Sequence, residues 1–247
     1  VGIFIRRGNK EIIKNNRFQD NSIVMSPYDI EEKNIALNRD FFDHTIENNT
    51  VNGKDILYLK NVKNEKIPKN TGQILTYNCS NLTVDNMSFS KCDLSLIMTY
   101  TDNCKINNSK FIDDADIWAI RSSHNIFTNN TMSKGFHGIT LDYSSSYNVF
   151  KFNNFSNNEL MGVMIETYSN SNIFENNNFI KNQKGAYILK SFKNRWSNNY
   201  WDEWIGLKYP ALHFLPKIIS GTLMAKQFII PTIINFDLDS VCKPYAI

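Results

Sequence analysis

The chain has 247 residues, 42% hydrophobic and 21% charged, which is enough apolar material to build a core. Its 27 basic and 24 acidic residues leave a formal charge of +3. So balanced a chain, with no basic stripe, argues against a nucleic-acid partner, and no apolar run is long enough for a transmembrane helix.

Val1 already stands inside what reads as a repeat, with no signal-peptide pattern ahead of it. The expectation is therefore the C-terminal part of a longer protein. Asn15-Asn16-Arg17-Phe18 resembles the later Asn153-Asn154-Phe155, and His44 to Thr50 resembles His124 to Thr131. Two segments, 28–43 and 60–71, do not fit a coil and read as loop insertions; the second is lysine-rich and holds Pro68. Between and after them, Ile56 to Leu59 and Gln73 to Thr76 read as strands.

From Asn81 the repeat is regular. Asparagines return at Asn81, Asn103, Asn125, Asn148, Asn172 and Asn194, in steps of 22, 22, 23, 24 and 22 residues. A fixed short period is the signature of a repeat architecture. Coils of this length, made of short strands and asparagine-bearing corners, predict an all-β fold, a right-handed parallel β-helix of about eight coils. Period-two alternation places Ile139, Leu141, Val163 and Ile165 inward and Thr140, Asp142, Met164 and Glu166 outward. Asparagine suits the corners because it tolerates the left-handed conformation, and its amide reaches the equivalent amide one strand spacing away. Such a ladder is expected through Asn86, Asn108, Asn130, Asn154 and Asn178.

After Trp204 the pattern stops. Residues 1–204 are assigned to the β-helix and 205–247 to a capping segment, because an open solenoid end exposes core and unpaired strand edges. Cys79, Cys92, Cys104 and Cys242 include no CxxC pair; they read as thiols filling coil interiors, with a Cys92–Cys104 or Cys79–Cys104 bridge the alternative. Asn-x-Ser/Thr sequons begin at Asn48, Asn78, Asn81, Asn86, Asn107, Asn129 and Asn154. They are glycosylation acceptors only in an exported protein.

The strand ends at Thr99, Arg121, Asp142, Glu166 and Lys190 are spaced to stack on one face. Asp142 and Glu166, one coil apart, would lie about 5–7 Å from each other, the range of paired glycosidase carboxylates. In an enzyme they are the catalytic pair, with Arg121 and Lys190 holding an acidic sugar and Tyr143 and Tyr168 stacking on its rings. Tyr147 and Tyr187 are further stacking candidates, as is Trp118, which reads better as packing inward. The competing reading is a ladder of surface ion pairs, Arg121 with Asp142 and Glu166 with Lys190. Asp113, Asp114 and Asp116, with Asp93 one coil below, form an acidic corner suited to calcium or simply to water. No other cofactor is implied, and no phosphate loop, nucleophile elbow or zinc motif is present.

The Asn-Ile/Val-Phe coil openings, the run Asn48-Asn49-Thr50-Val51-Asn52-Gly53-Lys54 leading into Tyr58-Leu59-Lys60-Asn61, and the closing Asn194-Arg195-Trp196-Ser197-Asn198-Asn199-Tyr200-Trp201 resemble the NosD-like family over roughly residues 15–204. The ending through Lys243-Pro244-Tyr245 resembles archaeal cell-surface members. The resemblance implies a parallel β-helix in a periplasmic, extracellular or cell-surface setting, with loose kinship to carbohydrate-binding and sugar-hydrolase modules. It also carries the family's association with copper. His44, His124, His137 and His213 are scattered without ligand spacing, so no metal site is assigned. The leading expectation is a non-catalytic module for structural, glycan or protein interaction. A polysaccharide hydrolase or lyase and a copper-handling accessory protein are the alternatives.

Overall fold

The computed structural model describes residues 2–27, 38–212, 215–225 and 228–246. The chain forms a right-handed parallel β-helix of about nine coils, one more than expected. Each regular coil contributes one strand to each of three faces. The long face stacks Thr71–Tyr77, Asp93–Thr99, Ala115–Ile120, His137–Asp142, Met161–Ile165 and Lys184–Leu189. A second face stacks Thr83–Asp85, Lys105–Asn107, Ile126–Thr128, Val149–Lys151, Ile173–Glu175 and Arg195–Ser197. The third face runs from Ser88–Ser90 to Tyr200–Trp201. All of these pairings are parallel, as a coil that always advances in one direction requires.

Like residues stack on like inside. Phe127, Phe150, Phe174 and Trp196 form one column, with ring centroids 4.6, 4.6 and 4.1 Å apart, and Phe155, Phe179 and Trp201 form another. The strand spacing of about 4.8 Å sets this near-parallel stacking, which an isolated aromatic pair would offset further. Ile139, Leu141, Val163 and Ile165 are fully buried, as the alternation predicted.

The asparagines divide into two sets with different work. One set turns the corners in the left-handed region, including Asn81, Asn86, Asn103, Asn108, Asn129, Asn176 and Asn198. The other points inward and is buried. Asn125, Asn148, Asn172 and Asn194 form one ladder, each accepting the backbone N–H of the coil below, and Asn172 and Asn194 also accept the amides of Asn148 and Asn172. Asn130, Asn153, Asn177 and Asn199 form a second. The first of its amides donates to Ile106 and the rest to Phe127, Phe150 and Phe174 carbonyls. Ser122, Ser145, Ser169 and Ser191 make a third ladder through their hydroxyls.

The ladder expected through Asn86, Asn108, Asn130, Asn154 and Asn178 therefore does not form. Asn86 and Asn108 are corner residues, and Asn154 and Asn178 lie one position past the inward site. The reason is coil length. Lys105 registers with Ile126, a 21-residue coil, so Asn103 is equivalent to His124 and not to Asn125.

The segment 60–71 is not an excursion. Lys63 and Lys66 bridge to Ser80 and Thr83, and Ile67 is buried, so the lysines belong to a coil wall. Of 28–43, residues 28–37 lie outside the described residues; Arg39–Phe42 is a 3-10 helix that seats Phe42 against Tyr77 and Tyr100. The N-terminal strands Ile3–Arg6 and Ile23–Ser26 pair in parallel. The second is fastened to the long face by Gln73, which donates to Ile23 and Leu94 carbonyls, and by Ser22, which donates to Cys92. After the last coil, Lys217–Ala225 and Phe228–Asp237 form an antiparallel hairpin that continues the sheet, joining Ile188 to Gly221 and Trp196 to Asp237.

All four cysteines are free. Cys79, Cys92 and Cys104 are buried, and burial pushes Cys92 and Cys104 up to about 12.

Candidate functional site

The column read from the sequence separates once the register is known. Thr99, Ile120 and Asp142 are register partners. Arg121 and Lys190 each stand in the left-handed corner region instead, at φ 51° and 52°. A side chain at such a corner leaves the strand face, so neither cation stacks over the carboxylates.

Asp142 is 0% exposed, and its carboxylate accepts the backbone N–H of Tyr143 at 2.8 Å. Glu166 is half-buried and follows in the next coil, its backbone N–H donating to Leu141. Burial raises the Tyr143 hydroxyl above its usual range; Asp142 adds to the rise, Arg7 opposes it, and Glu166 adds a little. The structure thus gathers Asp142, Tyr143 and Glu166 of the predicted set, and the cation beside them is Arg7, from the N-terminal segment. Tyr168 is exposed at another corner, at φ 62°.

The long face is open further along. Trp118, Thr140, Met164 and Tyr187 are register partners; His137, Met161 and Lys184 form a second line. The Tyr187 hydroxyl meets that of Thr222 at 2.9 Å, and the Lys184 ammonium lies 4.8 Å from the Tyr187 ring centroid. Burial lowers the His137 pKa, so its ring is neutral at pH 7. Its Nδ1 lies 3.5 Å from Thr140 Oγ1.

Asp116 reaches this patch from the coil below and accepts the His137 backbone N–H at 2.9 Å. Burial pushes its carboxyl up to about 7, against the hydrogen bond from His137. Gly135 makes room for it, since a Cβ there would overlap Asp116 Oδ1. The acidic corner is otherwise dispersed: Asp113 pairs with Lys134 at 3.4 Å, and Asp93 accepts the Ser22 N–H. Among the described residues no three His, Cys, Asp or Glu side chains gather as a metal site. His213 lies outside the described residues.

Sequence reasoning passed over the His137–Met161 pairing. Their separation of 24 residues is visible in the sequence, but His137 read only as one of four scattered histidines. Arg7 carried no sequence signal, because the docking of the N-terminal strand joins residues far apart in the chain.

The family model for the periplasmic copper-binding protein NosD matches residues 42–206. The crystal structure of the periplasmic alginate epimerase AlgG is similar with a TM-score of 0.44 and 10% identity, over 97% of this chain and 67% of that one. A search of curated proteins gives no match. With the family match running from Phe42 through the last coil, this chain belongs to the NosD family of parallel β-helix proteins.

Proposed function

We propose that the chain is a non-catalytic interaction module of an exported protein, binding a glycan or a surface protein along its open coil walls. The burial of Asp142 carries this reading. A general acid or base must come within hydrogen-bond reach of substrate. Asp142 is covered by its own chain and engaged with Tyr143. A periplasmic location fits the family description. The test is a panel of neutral and acidic polysaccharides, scored both for retention of the protein and for released oligosaccharides. Retention without release supports the module. Release that disappears in Asp142→Asn and Glu166→Gln, with folding intact, overturns it in favour of catalysis.

A second reading, copper handling, has one observation of its own. Neutral His137 registers with Met161, and Met164 follows on the same open face. Imidazole and thioether together form a donor set suited to copper(I). Competition against a chromogenic copper(I) chelator tests it: this reading requires uptake of the metal that falls in both His137→Phe and Met161→Leu.

A further inference from the structure

On the second face, Val149, Ile173 and Arg195 lie in register, and Tyr147, Ser171 and Lys193 occupy the corners just before them. These residues bound a trough that continues past Trp196 to the end of the C-terminal hairpin, where Asn235, Phe236 and Leu238 form the far wall. Tyr147 is 57% exposed and stacks on His124 at 5.2 Å, offering a flat ring at one end. Lys193 and Arg195 supply exposed cations at the middle. Of the acids on the trough, Glu175 is paired with Lys151 at 2.8 Å, which leaves Asp239 at the far end.

The exposed side chains of the hairpin, Phe236 and Leu238, close the far end with apolar surface.

We infer that this trough binds an extended acidic polysaccharide. The inference rests on the interaction-module reading and names its ligand class and place. Carboxylates pair with Lys193 and Arg195, and a sugar face lies on Tyr147. The side chains recur at the coil rise of about 4.8 Å, so the chain runs along the solenoid axis.

The test uses the full chain and calorimetric titration with polygalacturonate, its fully methyl-esterified form and polyglutamate. The double variant Lys193→Asn/Arg195→Gln removes both charges; asparagine suits the left-handed backbone at 193. Lys63→Gln/Lys110→Gln removes the same charge elsewhere. Expected is binding of polygalacturonate that weakens by about tenfold, or about 1.4 kcal/mol, in the trough variant and not in the control. Tyr147→Asn should weaken it too, and esterification should weaken it at least as much as the trough variant. Equal loss in the control variant, or equal affinity for polyglutamate, overturns the inference by reducing it to general polyanion attraction. Retention of neutral glycans alone overturns the trough and leaves the module reading standing; retention of no glycan and no surface protein overturns both.

Discussion

Replacing Asn153 tests whether the inward ladders hold the solenoid together. The Asn153 side chain is 0% exposed and makes four hydrogen bonds. Its Oδ1 accepts the Asn130 backbone N–H and Nδ2, both at 3.0 Å, and its Nδ2 donates to Phe127 O at 2.9 Å and Asn177 Oδ1 at 3.0 Å. In Asn153→Ala, Asn130 Nδ2 keeps Ile106 O and Asn177 Oδ1 keeps the residue-153 backbone N–H. The Asn130 backbone N–H has no such second partner. Stranding one buried donor costs about 1–3 kcal/mol, and the lost bonds contribute roughly 1 kcal/mol each. The expected loss is about 3–5 kcal/mol, since the surviving partners soften the sum. Asn153→Asp keeps the shape and faces two acceptors with a carboxylate oxygen; it should cost at least as much, which separates hydrogen bonding from cavity formation. The comparison is Asn129→Ala, a corner at φ 56°, where the left-handed backbone sets a cost of about 1 kcal/mol. Urea unfolding followed by tryptophan fluorescence reads the midpoints. If Asn153→Ala shifts the midpoint no more than Asn129→Ala, the ladder is not what the interior depends on.

Phe150 is sandwiched between Phe127 and Phe174 and is fully buried, so Phe150→Ala should lose about 3–5 kcal/mol in the same assay, and Phe150→Leu clearly less. With Asp116 held near 7 when folded, against an ordinary 3.8, the folded state binds more protons than the unfolded between those pH values. Its contribution to stability therefore falls as pH rises from about 4 to about 7 and is flat above. Thermal melts should show Asp116→Asn removing that fall, while His137, whose pKa is lowered, keeps its opposite slope below the ordinary histidine value of 6.5. Under native conditions a thiol reagent should label Cys242 alone, with Cys79, Cys92 and Cys104 reacting only after unfolding; rapid labelling of a second thiol would contradict the packed interior.

The period was legible because corners and columns impose the same residue types on every coil. The phase was not, and one slip accounts for most of what changed. Asn103 and Asn125 look equivalent at 22 residues, yet one is a corner and the other a ladder rung, because that coil has 21. The same ambiguity of one residue drew Arg121 and Lys190 into line with Asp142 and Glu166. In a β structure a one-residue error exchanges faces, so a correct fold still gave a misplaced column. The approach of Arg7 to Tyr143 was beyond reach for another reason: the two lie more than a hundred residues apart in sequence.

The second ladder also explains how the solenoid stops. Each rung donates from its backbone N–H and its amide to the carbonyl oxygen of the next rung, so the hydrogen bonds run one way, from the N-terminal coils to the C-terminal ones. The last rung receives but has no coil beyond it to donate to. An asparagine there would bury an amide with no partner; a carboxylate suits the position because it only accepts. Asp237 supplies it. One oxygen takes the Asn199 N–H, the Asn199 amide and Trp201 Nε1 at 3.1, 2.8 and 3.0 Å. Burial raises its pKa while these three donors pull it back. The residue lies 38 positions past Asn199, so no period points to it; the hairpin delivers it by folding back. The hairpin that continues the sheet therefore also terminates the polar chain, with Asp237 at the ladder's open end.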